Sequence, residues 1–127
     1  MGNSGSQDQR YIKSKIDQII KRAHRIKRKI QSSGSSGWGP IKHVGILVET
    51  DENQTYIIHH QGPDGDVVSE RCENYRNQGW EQVEQIHVNS HLTIGQAENI
   101  GGKGKGYLRN LTCIGVADKI QSALQSG

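Results

Sequence analysis

Cys113, His43 and His59 are the residues of this chain whose types and positions suit covalent chemistry. Cys113 falls where an apolar helical stripe begins. Cys113, Val116, Ala117, Ile120 and Leu124 share one face, with Thr112 placed as an N-cap. At a helix start, unpaired amides and the positive end of the dipole favour thiolate over thiol. A nucleophilic thiol also needs a base within hydrogen-bond reach and a third group to orient that base. His43 stands on a β-rich run, Ile41 to Glu49, and His59 near the end of a second, Thr55 to His60; the polar turn Asp51-Glu52-Asn53-Gln54 joins them. Such a hairpin can bring both imidazoles onto one face of a sheet, and a final helix packed across that face adds Cys113. The expectation is a nucleophile, a base and an orienter drawn from distant positions. His60 leaves the third member open between His59 and His60, because neighbours on a strand face opposite sides.

Each of these residues also has a plain structural reading. A cysteine on an apolar stripe is commonly core filler, and a single histidine is commonly a hydrogen-bonded structural residue. Cys72, in the polar stretch Ser69-Glu70-Arg71-Cys72-Glu73, has no base nearby in sequence and reads as a surface thiol. His87 and His91 have the spacing of a helical metal pair but flank a strand end and turn, so they do not read as zinc ligands. Gly101-Gly102-Lys103-Gly104-Lys105-Gly106 lacks the Lys-Ser/Thr ending of a phosphate loop and reads as a mobile loop whose lysines can touch an anionic headgroup. No metal and no cofactor is called for.

The elements that must position these residues are short. Beyond the hairpin, Gln61 to Asp66 is a loop. Arg71 to Asn77 is a short helix or loop, Trp80 to Val88 a strand, Leu92 to Ile100 a short helix, and Cys113 to Leu124 a longer one. The fold class expected is α+β: a small antiparallel sheet packed on a C-terminal helix that carries the cysteine, over residues 41–127. With no Phe, the core must be built of Ile, Val and Leu. Residues 31–40, rich in Gly and Ser, read as a linker.

Residues 1–30 read as a separate appendage. Of the sixteen Lys and Arg in the 127-residue chain, nine lie in this segment, leaving an acidic body behind a cationic tail. Met1-Gly2-Asn3-Ser4-Gly5-Ser6 fits the pattern for myristoylation of Gly2. One such chain gives only weak, reversible membrane binding, with a partition constant of about 10⁴ M⁻¹, and a polybasic segment is the usual second signal. Ile12, Ile16, Ile19, Ala23, Ile26 and Ile30 recur at steps of four and three, which predicts a basic amphipathic helix. Lys13, Lys15, Lys21, Arg22, Arg25, Lys27, Arg28 and Lys29 would meet an anionic membrane surface. The same stripe also suits a homodimer contact, packing on the domain or a calmodulin-type target, and its basic cluster resembles a nuclear import signal. No apolar run has the length of a transmembrane span, and two cysteines are too few for a disulfide framework, so the expected location is peripheral, on the cytoplasmic face of a membrane. The acidic body has no evident stacking face, which argues against nucleic acid.

The order His43-Val44-Gly45-Ile46-Leu47-Val48, then Ile57-Ile58-His59, then Gly106-Tyr107-Leu108-Arg109-Asn110-Leu111-Thr112-Cys113 resembles the lecithin:retinol acyltransferase group, a circularly permuted papain-like family. The resemblance covers residues 41–124. It implies thiol acyl transfer: His43 deprotonates Cys113, the thiolate attacks an ester or amide carbonyl of a lipid or acylated substrate, and His59 holds His43 in the right tautomer. Thr112 and Ile114 depart from the family's pattern around its cysteine, and they favour the alternative of a catalytically inactive member serving as a membrane-bound adaptor or regulator.

Overall fold

The computed structural model describes residues 11–29, 42–62, 65–105 and 113–127, with backbone alone at Lys29 and Lys42. Gly2 and its motif, the linker 31–40 and Thr112 lie outside the described residues. Strands β1 (Ile20–Lys29), β2 (Lys42–Thr50), β3 (Thr55–His60), β4 (Val67–Arg71) and β5 (Glu81–Ile86) precede helices α1 (Ile94–Gly101) and α2 (Cys113–Gln125). The strands form one antiparallel sheet in the order β4-β3-β2-β1-β5. The α+β class and the helix carrying Cys113 are as the sequence predicts.

The basic amphipathic helix expected before residue 30 is overturned: Ile20–Lys29 is β1, hydrogen-bonded between β2 and β5. Charge explains much of this. In a helix, Lys21, Arg25, Arg28 and Lys29 would stack three and four residues apart, each like-charge pair costing roughly 0.2–0.5 kcal/mol. In the strand, Arg25 lies level with Glu84 and Lys27 with Glu81 on β5, while Arg22 lies level with Glu49 on β2. The apolar spacing is also used differently. Ala23 and Ile26 are three apart, so they enter the cores on opposite faces of the sheet, and an irregularity between Ile20 and Arg22 turns Ile20 onto the same face as Ala23.

The cationic surface expected for membrane binding is therefore divided. Lys13 pairs with Asp51 at 2.5 Å, Arg22 with Glu49 at 2.9 Å and Arg25 with Asp118 at 2.9 Å. Lys15 donates to the Ser69 carbonyl, and Arg28 lies over Trp80. Lys21 is exposed, Lys27 is half-buried, and the side chain of Lys29 lies outside the described residues. Of the isoleucine stripe, Ile12 and Ile16 are exposed, Ile19 is half-buried, and Ala23 and Ile26 are buried in different clusters, so its described members do not share one face.

One face of the sheet is covered by both helices. Ala23, Val44, Ile46, Val48, Tyr56 and Ile58 pack there against Ile94 and Ala97 of α1 and against Val116, Ala117, Ile120 and Leu124 of α2. α1 starts on a capping box, with the Thr93 hydroxyl accepting from the Gln96 amide and the Gln96 side chain accepting from the Thr93 amide. It ends on Gly102 at φ 101°, a conformation that favours glycine. The opposite face carries a smaller cluster of Ile26, Leu47, Ile57, Cys72 and Trp80, with Tyr75 at its edge. Cys72 and Trp80 bracket the 3-10 turn Tyr75–Gln78, which brings the chain between β4 and β5 back over this face. Among the described residues no helix is long and apolar enough to cross a membrane.

Candidate functional site

Four adjacent strands each deliver one polar side chain to the face away from the helices: Arg28 from β1, His43 from β2, His59 from β3 and Glu70 from β4. Arg28 and His43 are direct cross-strand partners. Trp80, just ahead of β5, closes the row with its ring 5.5 Å from that of His43 and 5.8 Å from that of His59. Gly45, the next position on this face after His43, permits the arrangement. A Cβ there would lie 3.1 Å from Ile57 Cγ2 and 3.2 Å from His59 Cβ, so its absence lets β3 bring His59 close in.

The two imidazoles meet edge to face, centroids 4.7 Å apart, with His43 Nε2 2.5 Å from His59 Nδ1. His59 Nε2 in turn contacts the Glu70 carboxylate. A carboxylate only accepts, so His59 carries its proton on Nε2 and donates it to Glu70. His59 Nδ1 is then an acceptor, and His43 Nε2 must be the donor to it. That fixes the His43 tautomer and leaves its Nδ1 as a lone pair. Glu70 is thereby linked through His59 to the unprotonated nitrogen of His43.

Both imidazoles are buried, with His43 8% and His59 5% exposed. Burial pushes the His43 pKa down to about 4, and the neighbouring His59 and the Arg28 guanidinium push the same way, against Glu70. The His59 pKa is also lowered, again chiefly by burial, with Glu70 opposing. At neutral pH the pair is uncharged, and the His43 Nδ1 lone pair is unprotonated. A cleft of about 290 Å³ is lined by Arg28, His43, His59, Gln61 and Glu70. A recess of about 70 Å³ shares Arg28, His59 and Glu70 with it and adds Ile57, Cys72 and Trp80.

Cys113 is not brought to this group. It is buried at the start of α2 within the helix-covered cluster, among residues such as Val44, Ile46 and Ile58 that alternate with His43 and His59 and face the other way. The expectation that the last helix crosses the histidine face is corrected accordingly: α2 packs on the opposite side. His60 also faces that side, fully buried, its Nδ1 accepting from the Gly62 amide, so His59 is the histidine beside His43. Cys72, expected at the surface, is 5% exposed and lies on the histidine side. His87 and His91 are exposed, and among the described residues no group of three or more His, Cys, Asp or Glu is placed to hold a metal.

Glu70 and Trp80 were not legible as site residues, and Arg28 was legible only as a cation for lipid. The signal for Glu70 was the β-branched pair Val67-Val68 leading an alternating run to Arg71, a strand that its charged end obscures. No family model matches the chain, and no curated protein or solved structure matches it either.

Proposed function

We propose that the chain is a membrane-tethered hydrolase or acyltransferase in which His43 is the general base. The observation that carries this reading is the hydrogen-bonded series Glu70, His59, His43, ending at a cleft. His43 Nδ1 takes the proton from a nucleophile as that nucleophile attacks an ester or amide carbonyl, and returns it to the departing alkoxide or amine as the bond from the carbonyl carbon to that group breaks. The positive charge that develops on His43 is stabilised through His59 by Glu70, in a site whose burial otherwise disfavours it. A water or an acceptor hydroxyl serves as nucleophile here, because Cys113 packs with the other face. The tether rests on the Gly2 motif, with a polybasic contribution reduced by the ion pairs of Lys13, Arg22 and Arg25.

A second reading, a non-catalytic adaptor on a membrane, is favoured by the burial of Cys113 in the apolar core. Turnover of an activated ester, p-nitrophenyl acetate, by the full chain separates the two. His43→Gln is expected to lower turnover by about 10²-fold or more, and Cys113→Ala to leave it unchanged. Loss of turnover in Cys113→Ala, with an acyl adduct trapped on that thiol in the parent, restores the thiol route and sinks the water route. Turnover no faster than buffer leaves the adaptor. Gly2→Ala is expected to release the protein from membranes in cells under either reading, and unchanged association removes the tether.

A further inference from the structure

Among the described residues, Arg28 is the one charged group of the cleft that the base series does not employ. Arg22, Arg25 and Arg71 each meet a carboxylate. Arg28 makes no ion pair or hydrogen bond among the described residues, although it is half-buried and lines both the cleft and its recess. The carboxylate that shares both cavities with it, Glu70, is engaged by His59. A half-buried cation with no counter-anion is costly, and among the described residues Arg28 has none, which leaves its charge for a ligand to meet.

Arg28 is seated over Trp80. Its guanidinium carbon lies 4.6 Å from the centre of the Trp80 ring. A cation–π contact holds the group without using its hydrogen-bonding capacity for another protein side chain, so N–H donors stay open. Those donors form a fork that matches two oxygens of a carboxylate or phosphate. Arg28 is also the direct cross-strand partner of His43, so an oxyanion on the fork lies beside the base. We propose that Arg28, splinted by Trp80, is the anion-binding arm of the cleft, and that the ligand carries a phosphate or carboxylate oxyanion close to its reacting bond. The inference rests on the cleft being the substrate site proposed above, and it replaces a neutral lipid ester by an anionic substrate.

Titration of the full chain carrying Trp38→Phe with sodium phosphate, then sodium acetate, tests this by Trp80 fluorescence and by the imidazole NMR signals of His43 and His59. Sodium chloride at matched ionic strength is the control. Saturable changes in both probes are expected with phosphate or acetate and not with chloride. Arg28→Gln is expected to weaken binding about tenfold or more, and Arg28→Lys, which keeps the charge but loses the fork, by a smaller factor. Phosphatidylcholine vesicles with and without phosphatidic acid separate the sources. Displacement of free phosphate only by the phosphatidic acid vesicles assigns the arm to a lipid headgroup, and no displacement assigns it to a soluble ligand. Changes that follow ionic strength alone, or equal affinity in the parent and Arg28→Gln, overturn the proposal. If Arg28→Gln loses the paired imidazole signals, Arg28→Lys decides, and affinity equal to the parent there removes the fork. Anion binding without ester turnover leaves the arm standing and removes only the hydrolytic reading. Turnover of p-nitrophenyl acetate by a chain that binds no anion does the reverse.

Discussion

The two faces of the sheet are built from the same strands by alternation, yet they differ in kind. The helix-covered face takes Val44, Ile46, Val48 and Ile58, interdigitated with α1 and α2, and it buries Cys113 among them. The other face takes Arg28, His43, His59 and Glu70 from four adjacent strands and, among the described residues, is covered by the short return through Tyr75 and Trp80. Polar side chains on that thinly covered face keep a cleft beside them, whereas the same groups under the helices would be sealed from any ligand. A face that need not bear the whole stability of the fold is free to hold buried imidazoles at a cost.

The largest effect that sharpens this contrast comes from truncation in the two cores. Ile58→Ala, under the helices, is expected to lower unfolding free energy by about 3–4 kcal/mol while the turnover of the remaining folded protein is unchanged. Trp80→Ala should cost about 3 kcal/mol or more and also impair the site, since it removes the ring beside Arg28 and both histidines. Denaturant titration paired with turnover at low denaturant checks both. Equal loss of turnover per folded molecule in the two variants would erase the distinction between the faces.

The next effect is in pH. His43 has its pKa lowered from the ordinary 6.5 to about 4 by burial. Between those values the unfolded chain binds a proton that the folded chain refuses, so the folded state loses stability as pH falls. This part of the stability is complete above pH 6.5 and is lost as pH drops through about 4. Solvent reaching the cleft screens it, leaving a loss on the order of 2 kcal/mol from His43. His59 shifts in the same direction. Unfolding curves between pH 4 and 7 should slope accordingly, and His43→Gln should flatten them; an unchanged slope in that variant would assign the effect elsewhere.

Gly45→Ala is the smallest change and the most local. The added methyl meets Ile57 and His59 at 3.1 and 3.2 Å, so the neighbours must shift by a few tenths of an ångström. A stability loss of about 1 kcal/mol is expected, with displaced His43 and His59 ring signals in NMR as the readout. Unmoved signals would mean that β3 does not depend on this close approach.

The hairpin and both helices were legible because their apolar spacing matches their period: Val44, Ile46 and Val48 alternate, and Val116, Ala117 and Ile120 follow a helix. β1 was not legible, because a central strand that feeds both cores places Ala23 and Ile26 three apart, and with Ile19 four before Ala23 they imitate a helical stripe. Its partners Glu49, Glu81 and Glu84 are 27 or more positions away, and no local pattern announces them. The pairing of His43 with His59 followed from the hairpin. Which side the last helix takes did not, because His43 and Val44 are each compatible with either face until packing decides.

The place of β1 bears on synthesis. β1 leaves the ribosome before both of its neighbours, β2 and β5, so one of its hydrogen-bonding edges waits until residues 81–86 have been made. At about 5–20 residues per second that interval lasts on the order of seconds. An apolar strand left half-paired for so long invites association with neighbouring nascent chains. A row of lysines and arginines repels its own copies. The cationic strand is thus its own chaperone until Glu81 and Glu84 arrive to neutralise it.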